Sequence, residues 1–146
     1  MATERRAEVT WQGDLLNGSG TIGSVGSGAF GPLDVSWAAR SEEPNGKTSP
    51  EELIAAAHAG CFSMALSSAL EKAGHPATRI ETRAAVTIET VDGAPKVTKS
   101  MLDVRGKVDG IDQAAFQQAA EGAKKNCPVS KALQGNVEIT MTAKLV

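Results

Sequence analysis

The chain has 146 residues, 41% of them hydrophobic and 22% charged, with a formal net charge of −2. A chain of this size buries most of its apolar surface without a metal or disulfide staple; its lysines and arginines are spread along it with no basic stripe, which excludes nucleic acid as a partner. No apolar run of about 18 residues is read as a membrane span, and the charged amino terminus lacks the apolar core of a secretory signal, so a soluble, cytoplasmic protein with no membrane partner is expected.

Along residues 5–12, Ala7, Val9 and Trp11 alternate with Arg6, Glu8, Thr10 and Gln12, the period of a half-buried strand. Residues 13–29 are rich in Gly and Ser. Strand signal returns over 33–41, carrying Trp37 and Arg40, and breaks at Pro44-Asn45-Gly46, so the first third reads as a small antiparallel sheet with loose turns. Ser49 then reads as a helix N-cap, Pro50 as the first helical residue, and Glu52 as the capping-box partner that reaches back to the cap's own N–H. This helix should run to about Lys72 and stop at Gly74, with Pro76 beyond. Apolar residues cover most of its circumference up to Leu70, which predicts a helix enclosed by protein.

Two strands follow, 80–90 and 96–108, joined by a turn at Asp92-Gly93. Ala84, Val86 and Ile88 mark one face of the first, and Leu102, Val104 and Val108 one face of the second. Residues 111–125 read as an amphipathic helix interrupted by Pro128, with a short helical turn over 129–133. In the last strand Val137, Ile139, Met141, Ala143 and Leu145 alternate with polar residues. The order predicts an α+β fold of antiparallel sheets around a long central apolar helix. No repeat or linker divides the chain, so one domain, 1–146, is expected. Because so small a chain cannot easily enclose that helix alone, a homodimer is expected in which two sheets cover paired central helices.

Cys61 lies in the apolar helix and Cys127 in Asn126-Cys127-Pro128-Val129-Ser130, the only two cysteines. In a reducing compartment such a pair is more often catalytic, redox-active or metal-binding than a permanent crosslink; inert burial is the plain alternative. Gly18-Ser19-Gly20-Thr21-Ile22-Gly23 matches a dinucleotide fingerprint in letters, but no helix begins until Pro50 to hold a pyrophosphate, and the glycines read as turn or bulge residues. His58, three residues before Cys61, shares its helix face, as a zinc pair or a thiol with its base would. Zinc wants three or four protein ligands, and Cys61, Cys127, His58 and His75 are the only thiol and imidazole groups on offer, without the paired short spacings of a structural site; no metal is expected. A hydrolase with His58 as base has no evident orienting partner. In a redox reading, a nearby arginine lowers the pKa of a cysteine and a glutamate fixes that arginine. Arg40 and Glu51 are the candidates, although spacing alone favours a plain surface ion pair or two solvated charges.

The block Thr48-Ser49-Pro50-Glu51-Glu52-Leu53-Ile54-Ala55-Ala56-Ala57-His58-Ala59-Gly60-Cys61-Phe62-Ser63-Met64-Ala65-Leu66-Ser67, with Cys127-Pro128-Val129-Ser130 downstream, strongly resembles the OsmC/Ohr family, in its osmotically inducible OsmC branch. The similarity extends over essentially the whole chain, with residues 7–14 resembling the first strand of that branch and 32–40 its arginine-bearing strand. The resemblance implies a peroxidase that reduces organic hydroperoxides with no metal or prosthetic group, as an intertwined homodimer with active sites at the subunit interface. It further implies Cys61 as the peroxidatic cysteine, Cys127 as the resolving one with which it forms a disulfide, and Arg40 and Glu51 as the supporting pair, with Arg5 and Arg6 as alternatives to Arg40. A lipoyl-type dithiol is the implied reductant. Leu53, Phe62 and Met64 either favour the alkyl tail of an organic peroxide or belong to the core, and His58 reads as a packing residue or one supporting the site. A redox-sensing module that oxidises without turnover, and a Cys61–His58 thiol hydrolase, are the competing readings.

Overall fold

A computed structural model describes all residues, 1–146, as two compact units, Met1–Leu53 and Ile54–Val146. In the first, strands β1 (Ala7–Gln12), β2 (Ser19–Val25) and β3 (Leu33–Val35) form an antiparallel sheet in that order. The small antiparallel sheet is as expected, but β2 occupies the Gly/Ser-rich stretch where no strand was predicted. Its glycine is what lets it form: a Cβ on Gly20 would come within 2.7 Å of the Trp11 ring and 2.8 Å of Val35. Side chains from both neighbouring strands thus close over the bare backbone of β2. β1 is not half-buried, since all six of its residues are exposed in this chain.

The strand predicted over 33–41 ends at Val35, because the Ser36 hydroxyl accepts from the Ala39 N–H at 3.1 Å and caps a short helix, α1 (Trp37–Ser41). Arg40 therefore stands in the last turn of a helix, not on a strand.

Helix α2 (Pro50–Lys72) has the predicted bounds. Ser49 Oγ accepts from the Glu52 N–H at 3.1 Å, but the reciprocal half of the capping box does not form: the Glu52 carboxylate accepts from Thr48 Oγ1 at 2.9 Å instead. An 18-residue window of α2 has a mean hydropathy of 1.5, so by length and composition one helix can cross a membrane, contrary to the expectation. What α2 buries is nonetheless protein-facing. Phe62, Leu66 and Leu70 enter a protein core, and His58 is buried with both ring nitrogens hydrogen-bonded. Only this stripe is covered in the single chain. Ala56, Ala57, Gly60 and Met64 are exposed, Met64 by 76%.

In the second unit, β4 (Ala77–Val91) and β5 (Ala94–Val108) form a long hairpin, each starting earlier than predicted. Its turn is the predicted Asp92-Gly93, both with positive φ (51° and 80°), as a tight two-residue hairpin requires. Helix α3 (Gln113–Asn126) is capped by Asp112, whose carboxylate accepts from the Ala115 N–H at 2.8 Å. It leads into α4 (Pro128–Leu133) and then β6 (Glu138–Leu145). β6 pairs with β5 in parallel, from Lys99 opposite Glu138 to Gly106 opposite Leu145, so the sheet β4-β5-β6 is mixed rather than antiparallel throughout. The α3–α4 crossover is long enough to return the chain to the same end of the sheet, which a tight turn cannot do. Leu102 and Val104 of β5, Phe116, Ala120 and Ala123 of α3, and Cys127 complete the core begun by α2.

Candidate active site

Within the second unit, α2 delivers Cys61 and the junction of α3 and α4 delivers Cys127. That junction is set locally: the Cys127 N–H still donates to Ala123 O at 2.9 Å, Pro128 cannot continue the helix, and Cys127 O accepts from the Lys131 N–H at 3.0 Å to start the next one. Cys127 is fully buried, Cys61 is half-buried, and both are free thiols. The two sulfurs lie near enough for each to shift the titration of the other.

Their environments differ. Burial pushes the Cys61 thiol up, the hydrogen bond with Cys127 adds to this, and one N–H, from Val129, opposes it. Burial would also raise Cys127, but the Cys61 thiol, the N–H and hydroxyl of Ser130 and the N–H of Val129 all converge on its sulfur and hold it below the ordinary thiol value. The pair titrates as a unit. Within it, the groups this chain supplies favour the charged form of Cys127 more than that of Cys61.

His58 does not serve Cys61. Its Nδ1 lies 2.6 Å from Ser100 Oγ on β5 and its Nε2 2.8 Å from Ser130 Oγ on α4, with the ring wholly buried, and burial lowers its pKa. Both nitrogens are thus engaged, which leaves neither a metal-ligand position nor a general base aimed at Cys61. No three His, Cys, Asp or Glu side chains come together in a cluster suited to a metal. The residues that sequence reasoning passed over are Ser100, a small polar residue buried in a strand, and Ser130, whose spacing of three from Cys127 at a helix start was its one signal.

Within the first unit, Arg40 and Glu51 form a bidentate pair. Nε reaches both carboxylate oxygens at 3.1 Å and Nη2 reaches Oε1 at 2.7 Å. Glu51 is buried at 6% exposure, and the Arg40 guanidinium also lies 6.0 Å from the centroid of the Trp37 ring. This is neither the plain surface ion pair nor the two solvated charges that spacing favoured. Trp11, Leu15, Val35, Trp37, Arg40 and Pro50 line a cavity of about 410 Å³ beside it. Arg5 and Arg6 lie instead on the exposed amino-terminal segment, both engaged with Glu4. Phe62 is core, Leu53 half-buried, and Met64 exposed. The Gly18–Gly23 run leads into β2 and not a helix, so it offers no dinucleotide site.

The family model described as OsmC-like protein matches residues 43–142. The chain belongs to the OsmC-like family. Over 145 residues it is 41% identical to the Peroxiredoxin OsmC of Escherichia coli (strain K12), covering 99% of each chain. It is 32% identical over 98 residues to an organic hydroperoxide resistance protein of Xanthomonas axonopodis pv. citri, covering 65% of this chain and 66% of that one. The crystal structure of the organic hydroperoxide resistance protein OhrB of Bacillus subtilis superposes with a TM-score of 0.73 at 26% identity, covering 94% and 97% of the two chains. The OsmC-like match takes in Glu51, Cys61 and Cys127 and begins just after Arg40, which falls within the longer similarity to the E. coli relative.

Proposed function

We propose that this OsmC-like protein is a thiol peroxidase that reduces organic hydroperoxides to alcohols, with the whole chain, 1–146, acting as one functional domain. The observation that carries the reading is the placement of Cys61 and Cys127, remote in sequence, as two free thiols near enough to shift each other's titration. The names of the relatives point to the same chemistry. Cys61 as thiolate attacks the distal oxygen of ROOH. The O–O bond breaks, the alkoxide leaves and takes up a proton to give ROH, and Cys61 becomes a sulfenic acid. Cys127 then attacks the Cys61 sulfur, the S–O bond breaks, the departing hydroxide is protonated to water, and a disulfide closes. A dithiol, lipoyl-type in this reading, restores both thiols by exchange. The sequence needs no metal or prosthetic group.

Attack requires the charge on Cys61, whose thiol burial pushes up, while the surrounding donors lower Cys127. A guanidinium brought close reverses that preference, since an adjacent cation favours the thiolate. Arg40, held by Glu51, is the proposed cation. Glu51 and Cys61 are ten residues apart on one helix, about 15 Å along its axis, so in this reading the pair serves Cys61 of a second copy and the working form is a homodimer in the cytoplasm. The exposed apolar face of α2, with Met64 at its centre, fits that assembly. The apolar groove beside Arg40 fits a preference for organic peroxides, because each Å² of alkyl surface buried gains about 25 cal/mol and hydrogen peroxide has none to bury.

The test is peroxide consumption with lipoamide as reductant, comparing cumene hydroperoxide with hydrogen peroxide. Sustained turnover that favours the organic peroxide and vanishes in Cys61→Ser is expected. One stoichiometric burst without turnover would replace the enzyme with a redox sensor, and an acyl adduct on Cys61 with no need for Cys127 would replace it with a hydrolase.

A further inference from the structure

The reaction above uses the sulfurs and the guanidinium, yet the Cys127 sulfur also ends a buried chain of hydrogen bonds that it leaves without a role. Ser100 Oγ, His58 and Ser130 Oγ are linked at 2.6 Å and 2.8 Å, all three side chains are buried, and the Ser130 hydroxyl is among the groups that lower the Cys127 thiol. Ser130 has one hydroxyl proton. With that proton turned to the Cys127 sulfur, Ser130 Oγ accepts from His58 Nε2–H, and Nδ1 of the neutral ring, the form that burial favours, accepts from the Ser100 hydroxyl. In this arrangement every proton points towards Cys127.

We propose that His58 is a positioning residue: its Nε2–H fixes the Ser130 hydroxyl as a donor to the Cys127 sulfur, so that Ser100, His58 and Ser130 together prepare Cys127 as the nucleophile of the disulfide-closing step. The inference rests on the peroxidase reading. The electron pair for the new S–S bond comes from Cys127, the S–O bond of the Cys61 sulfenic acid breaks, and the hydroxide leaves as water after taking a proton from solvent. His58 itself neither gains nor loses a proton; it holds the donor in place. The same arrangement explains why α2 carries an imidazole beside Phe62, Leu66 and Leu70 in the core, where leucine would pack without hydrogen-bond demands.

The experiment has two arms. In the first, Cys127 is titrated by thiolate absorbance at about 240 nm in the Cys61→Ser protein, where it is the only thiol. His58→Leu and Ser130→Ala should each raise its titration by about one pH unit, the effect of losing one hydrogen bond to a charged group. Ser130→Thr, which keeps the hydroxyl, and His58→Gln, whose amide N–H can donate to Ser130, should restore it. In the full two-cysteine protein the same substitutions should slow disulfide closure about tenfold while peroxide attack on Cys61, which shares the charge with Cys127, is not slowed. The second arm uses the unaltered protein: imidazole nitrogen chemical shifts should report His58 as the neutral Nε2–H tautomer, protonating at lower pH than a free imidazole. This arm stands even if His58→Leu fails to fold. An Nδ1–H tautomer, or a Cys127 titration and closure rate that do not move in folded His58→Leu and Ser130→Ala, would overturn the proposal. Neither the titration nor the tautomer needs peroxide, so a protein with the relay intact and no turnover would refute the peroxidase reading instead.

Discussion

Replacing Arg40 by methionine removes three N–H···O contacts from a carboxylate that is only 6% exposed. Stranding one member of a buried ion pair costs about 3–5 kcal/mol. The Arg40 side chain is itself 31% exposed, so water enters the space it leaves and part of that cost is screened; about 2–3 kcal/mol is expected. The contact of the guanidinium with Trp37 adds a smaller loss, about 0.5 kcal/mol at such a distance. Urea unfolding of Arg40→Met, Glu51→Gln and the double variant separates these parts. If the penalty is a stranded charge, Arg40→Met/Glu51→Gln is more stable than Arg40→Met alone, because glutamine leaves no carboxylate to solvate. In the proposed reaction the same guanidinium stabilises developing charge at Cys61, so organic peroxide turnover should fall about 10²–10³-fold, the usual effect of removing one such donor, at a temperature where the variant is folded. A loss of stability below about 0.5 kcal/mol would show the pair to behave as a solvated surface contact. Full turnover in folded Arg40→Met would remove Arg40 from the mechanism and return attention to Arg5 and Arg6.

Cys127→Ser should consume one equivalent of organic peroxide per Cys61 and then stall with a sulfenic acid that dimedone traps; continued dithiol-driven turnover would show that Cys127 is dispensable. Because burial lowers the pKa of His58, the unfolded chain binds a proton that the folded one refuses, and stability should fall as pH drops below about 6.5, by at most about 1.4 kcal/mol per pH unit, until the folded-state pKa is reached; this slope should flatten in His58→Gln and is followed by urea midpoints against pH. Gly106→Ala places a Cβ 2.4 Å from the tip of the wholly buried Phe116 ring, an overpacking that should cost about 1–3 kcal/mol and be relieved by adding Phe116→Leu; unchanged stability would mean the ring has room to move.

What could be read from the sequence is what neighbours in the chain decide. Ser49 and Pro50 mark the start of α2 and Gly74 lies just beyond its end, Asp92-Gly93 supplies the left-handed pair a tight hairpin needs, and the alternation ending at Leu145 is that of a strand with one face inward. What could not be read depends on partners distant in sequence. β2 has too many glycines to look like a strand, and one of them, Gly20, is there because Trp11 and Val35 close over it. The five-residue α1 rests on one serine cap in a stretch that otherwise looks extended. The parallel direction of β6 follows from the crossover before it and leaves no mark in its own residues.

The site divides along the same line. The spacing of His58 and Cys61 places them on one helix face but cannot say where the imidazole turns, and the answer lies on β5 and α4, in Ser100 and Ser130. That choice shapes the chemistry. The donors this chain supplies, from Ser130, Val129 and Cys61, gather on Cys127, while Cys61 receives a single backbone N–H against the cost of its burial. A sulfur left in that state is a poor nucleophile until a cation arrives, and the Arg40–Glu51 pair is built to carry one rigidly. In the proposed reaction, then, the resolving thiol is prepared within each chain and the attacking thiol only where two chains meet. In that reading a lone protomer lacks a cation at Cys61, and assembly completes the attacking site without altering the second step.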